Sequence, residues 1–146
     1  MNASFTASLL AIALFGNGVL KEDTLAYTSD PIGPLITFDT LVHDYGTIAF
    51  GADGRCAFRF TNTGDAPLII SQFQSSCGCL VPSWDQDPVL PGASGSVRLK
   101  YDTRRAGPIN KSATLQSNAA NTPVVVLRIK GMVLADTAAH QAPMTR

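Results

Sequence analysis

Two cysteines one residue apart, in Cys77-Gly78-Cys79, are the residues of this chain whose type and spacing could do chemistry. A pair of thiolates at this spacing suits Cu(I), which accepts two soft sulfur ligands, whereas Zn²⁺ would need two further ligands. The same pair could close a disulfide, and a disulfide across a single residue is a strained ring that is readily reduced. A third interpretation is structural: the pair ends a strand with a tight turn, with one or both thiols packed inside. The sequence leaves these three interpretations open and favours the structural one.

The third cysteine is expected to be structural. Cys56 alternates with Phe58 and Phe60, which predicts a core residue that behaves as a small hydrophobe. The alternative is a disulfide from Cys56 to Cys77 or Cys79, which an oxidising compartment would allow.

The two histidines give little support to catalysis or to a metal site. His140 lies in the C-terminal tail, and His43 is expected on the surface of a strand. A Cys–His nucleophile would need a third group to orient His43, but Asp44 is its neighbour, and neighbours on a strand point to opposite faces. The sequence has no phosphate-binding loop, paired-carboxylate motif or serine elbow. We therefore expect no enzymatic activity, and no cofactor unless copper binds the cysteine pair.

The charge of the chain speaks against a nucleic-acid partner. Its 146 residues are enough for one ordinary domain, and 11 basic residues balance 11 acidic ones. The charges are unevenly placed, however, with a net charge of −5 over residues 1–53 and +5 over residues 54–146. We interpret this asymmetry as complementarity within the chain, with a charged docking face as the alternative.

The N-terminal 26 residues are predicted to be a signal peptide. The apolar run 9–15 is at the lower length limit for the core of such a peptide, and small residues allow cleavage after Gly18 or Ala26. The run is too short to span a bilayer, and no cysteine precedes Cys56 to carry a lipid anchor. We therefore expect an exported protein, periplasmic or extracellular, without an integral membrane segment. The rest of the chain is expected to form a linker at 27–34, a folded domain at 35–134 and a flexible tail at 135–146.

Short segments after residue 34 alternate apolar and polar side chains, with turn signals between them, which is typical of β-strands. About seven such segments in about 100 residues predict an all-β sandwich of two antiparallel sheets, with a closed barrel as the alternative. The predicted strands lie at 35–38, 45–48, 55–61, 68–73, 96–102, 111–117 and 125–130.

Three further details of this arrangement are predicted from the sequence. Residues 68–73 are nearly continuous in apolar character, so this strand is expected at the centre of a sheet. Residues 62–67 are interpreted as a hairpin connection, in which Gly64 is available for a positive φ. Trp84 is predicted to cap one end of the core, with an exposed binding aromatic as the alternative.

An ordered series of motifs runs through residues 36–133. It comprises Phe38-Asp39, His43-Asp44-Tyr45-Gly46-Thr47-Ile48, the stretch from Phe58 to Ile70 around Asn62-Thr63-Gly64-Asp65, Ser75-Ser76-Cys77-Gly78-Cys79, Pro91-Gly92, Ser117-Asn118 and Ile129-Lys130-Gly131. With these motifs the chain resembles the bacterial family called domain of unknown function 1573, which is similar to the immunoglobulin-like domains of the Hydin and major-sperm-protein kind. The resemblance implies an immunoglobulin-like β-sandwich and export, and it implies no established activity. The chain departs from the family pattern at Leu80, where a Thr is common, and at Cys56, where the family usually has a plain residue.

The sequence thus predicts a non-enzymatic exported module that binds an unknown protein or envelope component, or that contributes to envelope structure. Open edge strands near 35–38 and 111–117 could accept an extended segment through backbone hydrogen bonds. The alternative is a small thiol protein that binds copper or exchanges disulfides through Cys77 and Cys79, with Cys56 as a further candidate. The exposure of the thiols distinguishes the two functions. Thiols that react in the folded protein would indicate copper binding or disulfide exchange, and inert thiols would indicate a structural role.

Overall fold

The alternating segments form eight β-strands in residues 33–138, the part of the chain that the computed structural model describes. The predicted signal peptide, with its cleavage sites at Gly18 and Ala26, lies outside the described residues, as do most of the predicted linker and tail. The strands are β1 (Ile36–Phe38), β2 (Val42–Ile48), β3 (Arg55–Asn62), β4 (Ile70–Ser75), β5 (Leu80–Trp84), β6 (Ser94–Tyr101), β7 (Gly107–Ser117) and β8 (Val124–Val133).

Two four-stranded sheets pack face to face. Sheet A has the strand order β1-β3-β6-β5, and sheet B has the order β2-β8-β7-β4. The predicted two-sheet sandwich is confirmed, but it has eight strands instead of about seven, and β2 runs parallel to β8. The strand missing from the prediction is β5, which is short and carries Pro82 at its centre, so its sequence shows little alternation.

The core lies between the sheets and is built from alternate residues of the central strands. In β3 the side chains of Cys56, Phe58 and Phe60 are buried, while those of Arg55 and Arg59 are exposed. Each large apolar side chain that is fully buried stabilises the fold by about 1.5–3 kcal/mol. In the same sheet, β6 contributes Val97, Leu99 and Tyr101. The opposing sheet contributes Ile109, Ala113 and Leu115 of β7 and Val125, Leu127 and Ile129 of β8.

The sheet order corrects the predicted positions of β4 and β7. The predicted central strand at 68–73 corresponds to β4, which is an edge strand of sheet B. Leu68 is buried before β4 begins, and Ile69 is exposed. The run looks continuously apolar because it joins Leu68, which is buried where the chain crosses between the sheets, to the first residues of an edge strand. The predicted edge at 111–117 is wrong, since β7 lies between β8 and β4.

The connection at 62–67 is not a hairpin, because β3 belongs to sheet A and β4 to sheet B. Gly64 does not have a positive φ, contrary to the prediction. A Cβ at this position would overlap the carbonyl oxygen of Gly33, so the close approach of two backbone segments requires the glycine. Within residues 33–138 no helix is long and apolar enough to cross a membrane.

Candidate functional site

The Cys77-Gly78-Cys79 turn carries the chain from β4 in sheet B to β5 in sheet A. The two sulfurs are joined in a disulfide, and the Cα atoms are 5.3 Å apart, a separation that disulfides commonly have. Cys79 is buried in the core, whereas Cys77 is only half-buried against it. Gly78 is exposed, and a Cβ added there would meet open space. Of the two sulfur-bearing residues, Cys77 is thus the more accessible.

Hydrogen bonds attach this turn to both sheets. On the side of sheet B, the N–H of Ser76 donates to the carbonyl oxygen of Ser112 in β7 at 2.9 Å. On the side of sheet A, the N–H of Asp102 donates to the carbonyl oxygen of Cys79 at 2.8 Å. These bonds use backbone groups alone and do not involve the two sulfurs.

A cleft of about 740 Å³ borders the turn. Three cations line it, Arg55, Lys100 and Arg104, together with the carboxylates of Asp53 and Asp102. The remaining walls come from the loop before β3, from the turn itself, from β5 and from the end of β6 with the residues that follow it: Gly51, Ala52, Gly54, Gly78, Cys79, Val81, Tyr101 and Thr103.

Both carboxylates of the cleft are already engaged by neighbouring groups. Asp53 Oδ1 accepts a hydrogen bond from the N–H of Arg55 at 3.0 Å, and Asp102 Oδ1 accepts one from the N–H of Arg104 at 3.1 Å. The second oxygen of Asp102 lies 3.5 Å from Nε of Arg105. With three cations against two carboxylates, the cleft lining has a net positive charge, and the charge of Asp102 is further compensated by Arg105.

Two of the cleft cations face each other across paired strands. Arg55 of β3 is directly opposite Lys100 of β6, and like charges in this position destabilise a sheet. Neither takes part in the ion pairs found within residues 33–138, which are Arg98–Asp85, Arg105–Asp102 and Lys130–Asp44. An anion bound in the cleft would relieve this repulsion.

No local motif in the sequence marks these cations as a site. Alternation along β3 and β6 places Arg55 and Lys100 on the outward face of each strand, which the sequence does reveal. Their adjacency depends on the register between strands that are about 40 residues apart, and no local signal in the sequence fixes that register.

Cys56 is a free thiol in this structure, buried in the core. The alternative bond from Cys56 to Cys77 or Cys79 is not formed here. Burial raises the pKa of the Cys56 thiol, so the group is neutral near pH 7. The neighbouring Tyr45 hydroxyl donates to the carbonyl oxygen of Gly54 at 2.6 Å.

His43 is half-buried, with its ring centroid 4.6 Å from that of Tyr45 and 6.5 Å from that of Phe58. The prediction of a surface residue is therefore corrected: alternation along β2 turns His43 toward the core. Asp44 lies on the opposite face, where hydrogen bonds from the Gly46 N–H and from Lys130 lower the pKa of its carboxyl group. Asp44 is thus not placed to orient the ring of its neighbour.

Trp84 is half-buried, and its ring lies 6.1 Å from the ring of Phe73 in an edge-to-face arrangement. This packing is consistent with a cap on the core. Its indole N–H is buried and has no hydrogen-bond partner among the described residues.

A metal site would need ligands that the described part of the chain does not gather. Within residues 33–138 no group of three or more His, Cys, Asp or Glu side chains could hold a metal ion. Copper binding by Cys77 and Cys79 stays a prediction, and it would require reduction of the disulfide, because the metal ligand is the thiolate. His140 lies outside the described residues.

The family of the chain follows from a comparison with family models. The model described as "Protein of unknown function (DUF1573)" matches residues 36–133, which is more than half of the chain. The chain belongs to this family. A search of curated proteins found no match to this chain.

Solved structures show the fold of this DUF1573 domain. A protein of unknown function from Porphyromonas gingivalis is 19% identical, with a TM-score of 0.62 over 73% of this chain; the chain spans 50% of that protein. The ASH/PapD-like domain 7 of human CEP192 is 10% identical (TM-score 0.56, covering 69% of this chain and 87% of that domain). WR4, an MSP family member from C. elegans, is 12% identical (TM-score 0.51, covering 66% and 97%). These likenesses confirm the predicted immunoglobulin-like sandwich and show the fold alone.

Proposed function

We propose that this domain is an exported, non-enzymatic module that binds a protein partner or a component of the cell envelope. Support for binding comes from one sheet edge that is open to a further strand. A row of unpaired backbone groups on an edge strand is a template for an extended segment of another chain.

Three of the four edge strands carry a feature that hinders the addition of a further strand at one residue. On β1, the side chain of Asn121 accepts from the N–H of Ile36 at 3.0 Å and donates to its carbonyl oxygen at 2.9 Å. On β2, Thr40 Oγ1 is bonded to both the N–H and the carbonyl oxygen of Val42. On β5, Pro82 has no N–H to offer. The predicted edge at 35–38 is therefore an edge, but a protected one.

The fourth edge strand, β4, has no comparable protection. Because Ser76 donates its N–H to β7 and an antiparallel ladder alternates, the backbone groups of Phe73 and Ser75 point away from the sheet. No loop or turn within residues 33–138 covers them by a backbone hydrogen bond. A partner segment could add to sheet B here as a fifth strand.

Replacing Ser75 by proline tests this proposal, because it removes an outward N–H that the sheet itself does not use. Ser75→Ala is the matched control, since it removes only the hydroxyl that donates to the carbonyl oxygen of Cys77 at 2.7 Å. Purified wild-type domain and Ser75→Ala should retain the same partner from envelope extracts, and folded Ser75→Pro should lose it. Equal retention by all three proteins, or no retention above a scrambled control, would contradict binding at β4.

The disulfide beside the cationic cleft supports a second function. We propose, as the alternative, that the domain exchanges disulfides through Cys77 and Cys79. Two features favour this: Cys77 is the more exposed of the pair, and the backbone hydrogen bonds that attach the turn to both sheets do not involve the two sulfurs.

A further inference from the structure

We propose that the cleft beside the Cys77–Cys79 disulfide binds a small anionic thiol, which reduces the disulfide. The proposal rests on the disulfide-exchange function proposed above and names the class of its co-substrate. That class is a low-molecular-weight thiol that carries a carboxylate or a sulfonate.

Cys79 lines the cleft but is buried, so the reaction begins at the more accessible Cys77, which the co-substrate reaches from the cleft across the exposed Gly78. A thiolate of the co-substrate attacks Sγ of Cys77, forms a mixed disulfide there and releases Cys79 as a thiolate. A second thiolate attacks the co-substrate's own sulfur in this mixed disulfide and releases Cys77 as a thiolate. Two co-substrate thiols thereby become one disulfide, their two electrons reduce the protein disulfide, and both cysteines take protons from solvent.

The charge of the cleft selects the class of thiol. Arg55, Lys100 and Arg104 line the same cleft as Cys79, and the two carboxylates present are engaged by backbone N–H groups. A negative group on the co-substrate would lie between the facing side chains of Arg55 and Lys100 and relieve their repulsion. The same cations favour the release of Cys79 as a thiolate, since nearby positive charge stabilises that form.

The size of the cleft fits a small molecule. A volume of about 740 Å³ lies within the range of ordinary small-molecule sites. Gly78 is exposed between the two cysteines and adds no side chain that would obstruct the approach to Cys77.

The experiment compares three thiols of different charge at low ionic strength: 3-mercaptopropionate, 2-mercaptoethanol and cysteamine. Reduction of the folded protein is followed by alkylation and intact-mass measurement. Each rate is divided by the rate for a short blocked Cys-Gly-Cys peptide disulfide, which cancels the intrinsic reactivity of the reagent. The variants are Arg55→Gln/Lys100→Gln and, as a matched control, Arg59→Gln, which removes a cation from the same face of β3 but outside the cleft lining.

We expect the normalised rate for the anionic thiol to exceed that for the cationic thiol by about tenfold in wild type. The ratio should fall toward one in the double variant and in about 0.5 M salt, and it should persist in Arg59→Gln. A ratio near one in wild type, or an unchanged ratio in the double variant, would overturn the anionic co-substrate while leaving exchange intact. A folded protein whose disulfide resists all three thiols would overturn the exchange function itself.

Discussion

Asn62 shows how one buried polar side chain fixes the path of the chain beside β3. It is fully buried, and its amide makes four hydrogen bonds to backbone groups of the crossing segments. The sequence motif Asn-Thr-Gly was interpreted as a turn, yet Asn62 has the same parity as Cys56, Phe58 and Phe60, and that parity indicates a buried position. Since a buried amide needs partners, parity could have identified it as an anchor.

Replacing Asn62 by alanine should lower the free energy of unfolding by about 3 kcal/mol, because it leaves buried donors and acceptors unpaired. Nδ2 donates to the carbonyl oxygens of Ala66 and Val89, each at 2.8 Å, and Oδ1 accepts from Gly64 at 3.0 Å. Urea denaturation measures the change.

Asn118→Ala is the control for this substitution. Asn118 is exposed and also bonds to backbone groups, accepting from Ile69 at 2.7 Å and donating to Pro67 at 3.1 Å. Because water can replace these bonds, we expect a loss of about 1 kcal/mol or less. Equal losses in the two variants would show that Asn62 is not a buried anchor.

The cysteine pair shows what residue types and spacing can and cannot predict. The spacing of Cys77 and Cys79 indicated that their sulfurs could meet across one residue. It could not show that the turn connects two sheets, or that it borders a cationic cleft, because both depend on strand order.

At the scale of the strands, alternation predicted most of the elements and failed where local composition was ambiguous. The predicted strands 55–61 and 125–130 lie within β3 and β8, and the predicted strand 96–102 matches β6 except at Asp102. The inward residues of all three are buried as expected. Alternation is misleading where a buried apolar residue lies outside a strand. Leu68 is buried in an isolated bridge to Val89, and it makes the run 68–73 resemble a central strand. Edge or central position depends on contacts distant in sequence, which explains the reversed assignment of β4 and β7.

A contact between β2 and the beginning of β3 should make the fold sensitive to alkaline pH. Burial raises the pKa of Cys56 above its ordinary value of 9.0, and burial followed by the neighbouring Cys56 thiol raises the pKa of Tyr45 above 10.0. Both groups are neutral when protonated, so the folded state retains protons that the unfolded state loses. The contribution of these two groups to the free energy of unfolding should therefore be constant below about pH 8 and fall as the pH rises toward about 11.

Urea denaturation across this range measures the decline, and Cys56→Ala and Tyr45→Phe identify its source. Each variant should show a shallower decline than wild type, because one titrating group has been removed. An identical slope in wild type and both variants would mean that these two groups do not couple folding to protonation.

At the scale of the whole molecule, the fold limits the function without naming it. Sandwiches of this kind serve many unrelated functions, so function has to be argued from particular sites. Two sites support different functions here. An unprotected edge on sheet B suits a polypeptide partner, and a disulfide beside a cationic cleft suits a small thiol. The edge strand β4 leads directly into the turn that carries the disulfide, so each substitution in one site should be checked for its effect on the other.

Both functions are proposed for an exported protein, and the compartment can be tested independently. A disulfide such as Cys77–Cys79 is rare in the cytosol and is expected in an oxidising compartment, which agrees with the apolar run at 9–15, typical of the core of a signal peptide. Alkaline phosphatase fused after Ala26 should be active in intact cells, because that reporter works only outside the cytoplasm. The control replaces Leu10 and Leu14 by Asp, which interrupts the apolar run and should abolish the activity. If the unaltered fusion is produced but inactive, the N-terminal segment does not direct export, and a cytosolic Cys77–Cys79 pair would be expected to be reduced.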